Sequence, residues 1–352
     1  RLRKAWEQVV QRHGILRSTF TTETQSVQPE VSLPWSESEI PDTSFDLETG
    51  PLMKLGLIRE AEDCYTLYWN IHHLLLDGWS WPLVFSEVAA LYETPTAVLP
   101  EPIPFRRYID YLQSRGNSSE GYWRSALDGV TQLTPLPASI RPDAEPDGIG
   151  ELIGALSEEA TERLTALAAN KCWTLSTLVQ GAWGLVLAHH ARQTDVLFGA
   201  SFSGRPEALA GALEMVGPMV VNLPVRVRLS DSENAISFLD RLQKEHVERV
   251  EHQDASPLKL QSWTQVPLRY RLFDSLVVFQ NYQKSGELKR GNVGVELLSA
   301  PDHTAFPLTL VAMPGTVLSL KLAYHRSRLD GEVVAQLQKD LNSCLHIICE
   351  KP

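Results

Sequence analysis

Apolar and polar positions alternate along the chain between a helical and a strand period. Leu2, Trp6, Val9 and Val10 share one face over residues 2–13, which predicts an amphipathic helix. Residues 15–22 read as a strand, and 23–43, rich in Ser, Pro and acidic residues, as loop. Two apolar runs, 52–59 and 65–71, flank Ala61-Glu62-Asp63 and predict a hairpin. Helical spacing returns at 81–92, with Leu83, Val84, Val88 and Leu91 on one side, then at 105–115 and 118–127. Four prolines at Pro135, Pro137, Pro142 and Pro146 make 128–149 the clearest linker. Beyond it a strand is expected at 149–156, then a helix capped by Ser157 with Glu158 and Glu159 in its first turn. Further helices are expected at 175–189 and 234–251, and strands at 196–203, 220–227, 275–280, 293–298, 308–313 and 317–324. A last helix buries Val334, Leu337, Leu341, Leu345 and Ile348. The pattern predicts two mixed α/β lobes, 1–127 and 150–352, joined at 128–149.

Composition narrows the possibilities. The 352 residues are 43% hydrophobic, ordinary for a globular protein, and at roughly 150 residues per domain they suggest two domains. A net charge of −11 argues against nucleic acid or an anionic membrane as partner. No apolar run approaches the ~20 residues of a membrane span. Cys64, Cys172, Cys344 and Cys349 are too scattered for a disulfide framework or a zinc site, so free thiols in a cytoplasmic setting are expected. The chain starts in the middle of a helical pattern and reads as a fragment lacking its true N-terminus.

The chemistry concentrates in Asn70-Ile71-His72-His73-Leu74-Leu75-Leu76-Asp77-Gly78-Trp79-Ser80. If His72 and His73 continue the strand they point to opposite faces, so one addresses a cavity and the other packs behind it. An imidazole suits proton transfer from an amine or alcohol near neutral pH. An isolated His-His pair is more often a packed pair than a catalytic one. His189-His190, at the end of an apolar helix with no acid following, reads as a helix-dipole partner. At 72–73, the aspartate and glycine that follow make the difference. Asp77 can pair with a base and fix the loop, and Gly78 allows a close backbone approach to a reacting group.

His72-His73-Leu74-Leu75-Leu76-Asp77-Gly78 resembles the HHxxxDG motif of condensation domains of nonribosomal peptide synthetases. H-x-x-x-D alone is shared with the wider chloramphenicol-acetyltransferase-like superfamily. Other segments add specificity: Arg12-His13-Gly14-Ile15-Leu16-Arg17-Ser18-Thr19-Phe20, Tyr108-Ile109-Asp110-Tyr111-Leu112, Tyr122-Trp123, Ser203-Gly204-Arg205-Pro206, Val216-Gly217 through Leu223-Pro224-Val225-Arg226, His252-Gln253-Asp254 and Leu272-Phe273-Asp274 are similar to family motifs in the family's order. The family's opening motif is absent, and Val221 stands where an asparagine is common.

The resemblance implies an α/β fold of two chloramphenicol-acetyltransferase-like lobes, a V-shaped pseudo-dimer with a tunnel between them. It implies amide or ester formation between a donor acyl or peptidyl thioester and an acceptor. No cofactor is expected on the domain itself; both substrates ride on the phosphopantetheine of upstream and downstream carrier proteins, among neighbouring synthetase domains. Carried over, His73 meets the nucleophile as base or positioner, and His72, Asp77, Gly78 and Arg205 support it. Asp77 pairs with Arg205, and the Gly78 N–H faces the oxyanion. Trp79 and Trp81 read as wall or core, and Arg12 and Arg17 as structural. The alternatives are an epimerization domain, a coenzyme A-dependent acyltransferase of the superfamily, or a catalytically silent recruitment domain. Epimerization calls for an acid just before Gly204-Arg205, where Phe202-Ser203 stand.

Overall fold

The computed structural model describes residues 1–137, 148–280, 288–290, 293–296, 298 and 305–350. It divides into two compact units. The first holds Arg1–Gly116, Ser203–Val220 and the described part of 283–298; the second holds the rest.

In the first unit, helix α1 (Leu2–Arg12) leads through a short 3₁₀ turn, Gly14–Arg17, into strand β1 (Ser18–Phe20), which pairs with β2 (Gln25–Val27). The single strand expected over 15–22 is thus half turn, and the presumed loop 23–43 contributes β2 and β3 (Trp35–Ser36). Strands β4 (Met53–Ala61) and β5 (Cys64–Ile71) form the expected hairpin, with β3 parallel to β4. Helices α2 (Ser80–Glu93) and α3 (Arg106–Arg115) follow. The apolar stripe of α1 (Ala5, Trp6, Val9, Val10) packs with Val84, Val88 and Leu91 of α2 in one core. Trp6 lies 4.8 Å from the Trp69 ring of β5 and 5.5 Å from Phe85 of α2, and Trp69 and Phe85 meet edge-on at 5.2 Å. Three aromatic rings therefore fix α1, β5 and α2 together. That leaves the β5–α2 connection, residues 72–79, little freedom at either end.

The second unit runs through α4 (Glu120–Ala126), β6 (Ile149–Ala155), α5 (Glu158–Lys171), α6 (Leu175–Ala191), β7 (Asp195–Phe202), β8 (Val221–Arg228), α7 (Ala235–Glu251), α8 (Pro257–Ser262) and β9 (Ser275–Phe279). The hairpin β10 (Leu288–Arg290) and β11 (Val293–Val295) stands where a strand to 298 was expected, and counts with the first unit. Strands β12 (Leu308–Met313) and β13 (Ser319–His325) and helix α9 (Gly331–Glu350) complete the second unit. Its sheet has the order β6-β13-β12-β9-β7-β8, parallel at β12–β9 and β9–β7 and antiparallel elsewhere. Helix α6 is buried on almost every side because Gly181 and Gly184 leave room for Leu239 of α7 and Val227 of β8. Ser157, Thr174 and Asn234 accept hydrogen bonds from the first-turn N–H groups of α5, α6 and α7.

The division differs from the expected lobes in three places, the β10–β11 hairpin being the first. The 118–127 helix belongs to the second unit, because Trp123 is buried in that unit's core and its Nε1 donates to the His252 carbonyl at 2.9 Å. Residues 203–220 return to the first unit through side-chain and backbone bonds described below. Part of the presumed linker, 138–147, lies outside the described residues.

Leu322, fully buried in β13, sits in the middle of the second unit's core. Leu322→Ala is expected to lower unfolding free energy by about 2–5 kcal/mol in a denaturant titration; a loss within error would place this strand outside the cooperative core.

Candidate functional site

Strand β5 stops at Ile71, so His72 and His73 lie in the turn that follows it and not on the strand. Their separation arises from that turn. His72 is drawn inward: its N–H donates to the Leu52 carbonyl at 2.9 Å, and its carbonyl accepts from the Leu75 N–H at 3.0 Å. Its Nδ1 accepts from the Leu74 N–H at 3.2 Å, and Phe45 meets its ring edge-on at 6.1 Å. Burial, and then the neighbouring His73, push the His72 pKa below its ordinary value. An unprotonated Nδ1 is also what the Leu74 bond requires. His72 is a turn-holding residue.

His73, next in the turn, is exposed. The buried side chains of Leu75 and Leu76 anchor the turn beneath it. His73 Nδ1 lies 3.2 Å from the Leu76 carbonyl oxygen. A carbonyl only accepts, so Nδ1 carries the hydrogen, and the lone pair of the neutral ring is on Nε2.

Asp77 is buried (6% exposed) within a set of donors. Its Oδ1 accepts from the Ser80 N–H at 2.9 Å, the Ser80 hydroxyl at 2.8 Å and Arg205 Nη2 at 3.1 Å. Its Oδ2 accepts from Arg205 Nη1 at 2.8 Å, Met219 N–H at 2.9 Å and Val220 N–H at 3.1 Å. Burial alone would raise the carboxyl pKa. The Arg205 bonds and charge, the Met219 N–H and Ser80 outweigh it and hold the group below its usual range. Arg205, its guanidinium fully buried, also donates to the Ser203 carbonyl at 3.0 Å and the Ser80 hydroxyl at 2.9 Å, and lies over the Trp79 ring at 5.5 Å. Trp79 Nε1 donates to the Leu213 carbonyl at 2.9 Å.

The geometry thus joins Asp77 to Arg205, as the resemblance implied, and leaves His73 out of that network. Gly78 is partly exposed in the turn ahead of α2. Gly204 accounts for the tight path before Arg205. With φ +65° and the Met219 carbonyl oxygen 1.6 Å from where a Cβ would stand, no other residue fits there without moving the backbone. Arg12 and His13 both bond Glu87, at 3.1 and 2.9 Å, and Arg17 bonds backbone carbonyls, which are structural roles. His190 pairs with Asp340 at 2.8 Å.

Sequence reasoning missed Ser80. Its place three residues after Asp77, at the start of a helix, is the available signal, since Asp followed by Ser at that spacing closes a side-chain-to-backbone turn. The Met219 and Val220 contributions have no such signal, because both are backbone N–H groups. Among the described residues no cluster of His, Cys, Asp or Glu could hold a metal, and no helix is long and apolar enough to cross a membrane.

A buried acid–arginine pair thus braces a turn that carries one exposed imidazole, and the whole chain, residues 1–352, matches the condensation-domain family. The chain belongs to that family. It is 34% identical to a linear gramicidin synthase of Brevibacillus parabrevis over 99% of its own length and 7% of that protein's. It is 33% identical to a chondramide synthase of Chondromyces crocatus, over 95% and 9%. It therefore spans less than a tenth of these two relatives. Its fold is similar to the X-domain from teicoplanin biosynthesis (TM-score 0.84, 21% identity, 100% of this chain and 87% of that one). It is also similar to the epimerization domain from the third module of a tyrocidine synthetase (TM-score 0.77, 21% identity, 99% and 88%). At those identities the likeness speaks to fold, which is the mixed α/β, chloramphenicol-acetyltransferase-like one.

Asp77→Ala is expected to cost about 3–5 kcal/mol by leaving the Arg205 charge buried without a partner. Because the carboxyl titrates below its ordinary range, its contribution is complete above roughly pH 4 and is withdrawn as pH falls through the lowered value. Denaturant midpoints of wild type and Asp77→Asn from pH 7 to pH 3 should converge on acidification. An Asp77→Ala variant with wild-type melting and no turnover would instead move Asp77 into the chemistry.

Proposed function

We propose that this domain joins a donor acyl or peptidyl thioester to the amine of an acceptor, both carried on phosphopantetheine arms of partner carrier proteins in a cytoplasmic synthetase. The observation that carries the reading is the His73 ring: exposed, tethered through Nδ1 to the Leu76 carbonyl, and offering the Nε2 lone pair. The amine nitrogen attacks the thioester carbonyl carbon, the C–S bond breaks, and an amide and a free thiol result. His73 Nε2 accepts a hydrogen bond or a proton from the attacking amine, and the thiolate regains a proton as it leaves. A thioester is already activated, so holding the amine in line accounts for much of the rate. Asp77 and Arg205 act on the turn and not on the substrate. Gly78, next in the turn, offers its N–H to the oxyanion.

Synthetase relatives such as linear gramicidin synthase support carrier proteins and neighbouring synthetase domains as partners. Phe202 and Ser203 precede Gly204-Arg205, where an epimerase needs a second acid–base group, and this favours condensation.

The test is to load defined carrier proteins with donor and acceptor and follow product by intact-protein mass spectrometry. Release of donor acyl to the acceptor is expected, and inversion of the donor with acceptor omitted would establish epimerization instead. His73→Ala should keep the wild-type melting temperature and lower the condensation rate by about 10²-fold or more. Full activity in that variant would remove His73 from the role.

A further inference from the structure

Helix α7 carries two sheltered nitrogen-bearing side chains, Arg249 and His246, with polar atoms that the second unit leaves without a hydrogen-bond partner. Arg249 is 4% exposed, and neither its Nε nor its Nη1 has a hydrogen-bond acceptor. His246, three residues earlier and so on the same helix face, stacks on Phe202 at 5.4 Å, with its Nδ1 likewise unpartnered. Other sheltered guanidiniums are treated differently. Arg205 has Asp77; Arg226 has Asp195 at 2.6 and 2.8 Å, with the carbonyls of Ala126 and Asp128. Arg241 takes Glu233 at 2.7 Å and Glu245 at 3.2 Å. Glu245, at the right helical spacing for Arg249, is thereby engaged elsewhere. A buried guanidinium with donors left unsatisfied is costly for a fold to keep, and a bound counter-ion relieves it.

Arg249 does not end in solid core. It lines a cavity of about 220 Å³ together with Tyr122 of α4, Arg226 and Arg228 of β8, and Glu245 and Glu248 of α7. Burial raises the pKa of the Tyr122 phenol, with Arg249 opposing and Glu248 and Glu245 adding to the rise, so the hydroxyl stays a donor at neutral pH. The volume is below the ~300–1,000 Å³ of pockets for drug-sized ligands and suits a small ion or one charged head group. All of these residues belong to the second unit.

We propose that this cavity is an oxyanion site, in which the Arg249 guanidinium and the Tyr122 hydroxyl hold a carboxylate or phosphate group of a small molecule. Guanidinium donors are planar and charge-assisted, and match either group. Glu248, exposed at the rim, tunes the site by repulsion. The site does not depend on the His73 reaction.

The competing account is that Glu248 swings inward and neutralises Arg249 itself. The two separate on the purified full chain, titrated with sodium phosphate or sodium acetate at constant ionic strength, by calorimetry and thermal melting. Saturable binding with a rise in melting temperature is expected. A response to phosphate alone assigns a phosphate head group, and a response to acetate as well shows that a carboxylate suffices. Arg249→Met, unbranched and uncharged, should melt at or above wild type without added anion and bind about tenfold more weakly or not at all. Glu248→Gln should bind more tightly than wild type. Should Arg249→Met not fold, wild type, Arg249→Lys and Glu248→Gln decide the matter by calorimetry alone. Flat titrations of wild type with both anions, an Arg249→Met response equal to wild type, or weaker binding by Glu248→Gln would overturn the proposal.

Discussion

The ion pair between Asp77 and Arg205 is what the first unit's site depends on. Two charges taken out of water are expensive to bury, and an isolated pair often fails to recover that cost. Here each carboxylate oxygen accepts three hydrogen bonds, from Arg205, from Ser80 and from two backbone N–H groups. The pair spans 128 positions of sequence and ties the returning segment 203–220 to the turn that carries the histidines. Ser80 strengthens the tie, since its oxygen also accepts from the Gly217 N–H at 3.1 Å. The turn is therefore held at both ends, by Leu52 at its start and by Arg205 at its finish.

Periodicity makes the long helices of the second unit legible. The 3.6-residue stripes and the capping side chains of Ser157 and Asn234 set the start of α5 and both ends of α7 to within a residue or two of where they run. Short elements are less legible. Residues 15–22 carry β-branched content, yet Ile15 and Leu16 point into the core from a 3₁₀ turn, a burial that alternation does not encode. The His-His pair resembles a strand continuation for the same reason. Apolar Leu74 to Leu76 lengthen the apparent run, whereas Leu75 and Leu76 are buried by a turn closing on His72.

Non-local features divide by chemistry. The pairing of Asp77 with Arg205 comes from motif resemblance, because no local spacing links them. The backbone donors Met219 and Val220 carry no residue identity and are invisible in the pattern. The extent of each unit is likewise hidden, since composition marks the proline-rich 128–149 stretch, while the packing of Trp123 and the return of 203–220 decide which core each segment joins.

The same pair bears on what His73 can do in the proposed reaction. In a serine-hydrolase triad a carboxylate stands behind the imidazole and stabilises the imidazolium as it forms. Behind His73 Nδ1 stands a neutral carbonyl, that of Leu76, and the nearest carboxylate in sequence is committed to Arg205. A full positive charge on the ring would gain only the dipole of that carbonyl. The carbonyl nonetheless fixes which nitrogen bears hydrogen and where the ring points. Such an arrangement is better suited to orienting an amine through an Nε2 hydrogen bond than to storing its proton. For an activated thioester, orientation is the larger part of the problem.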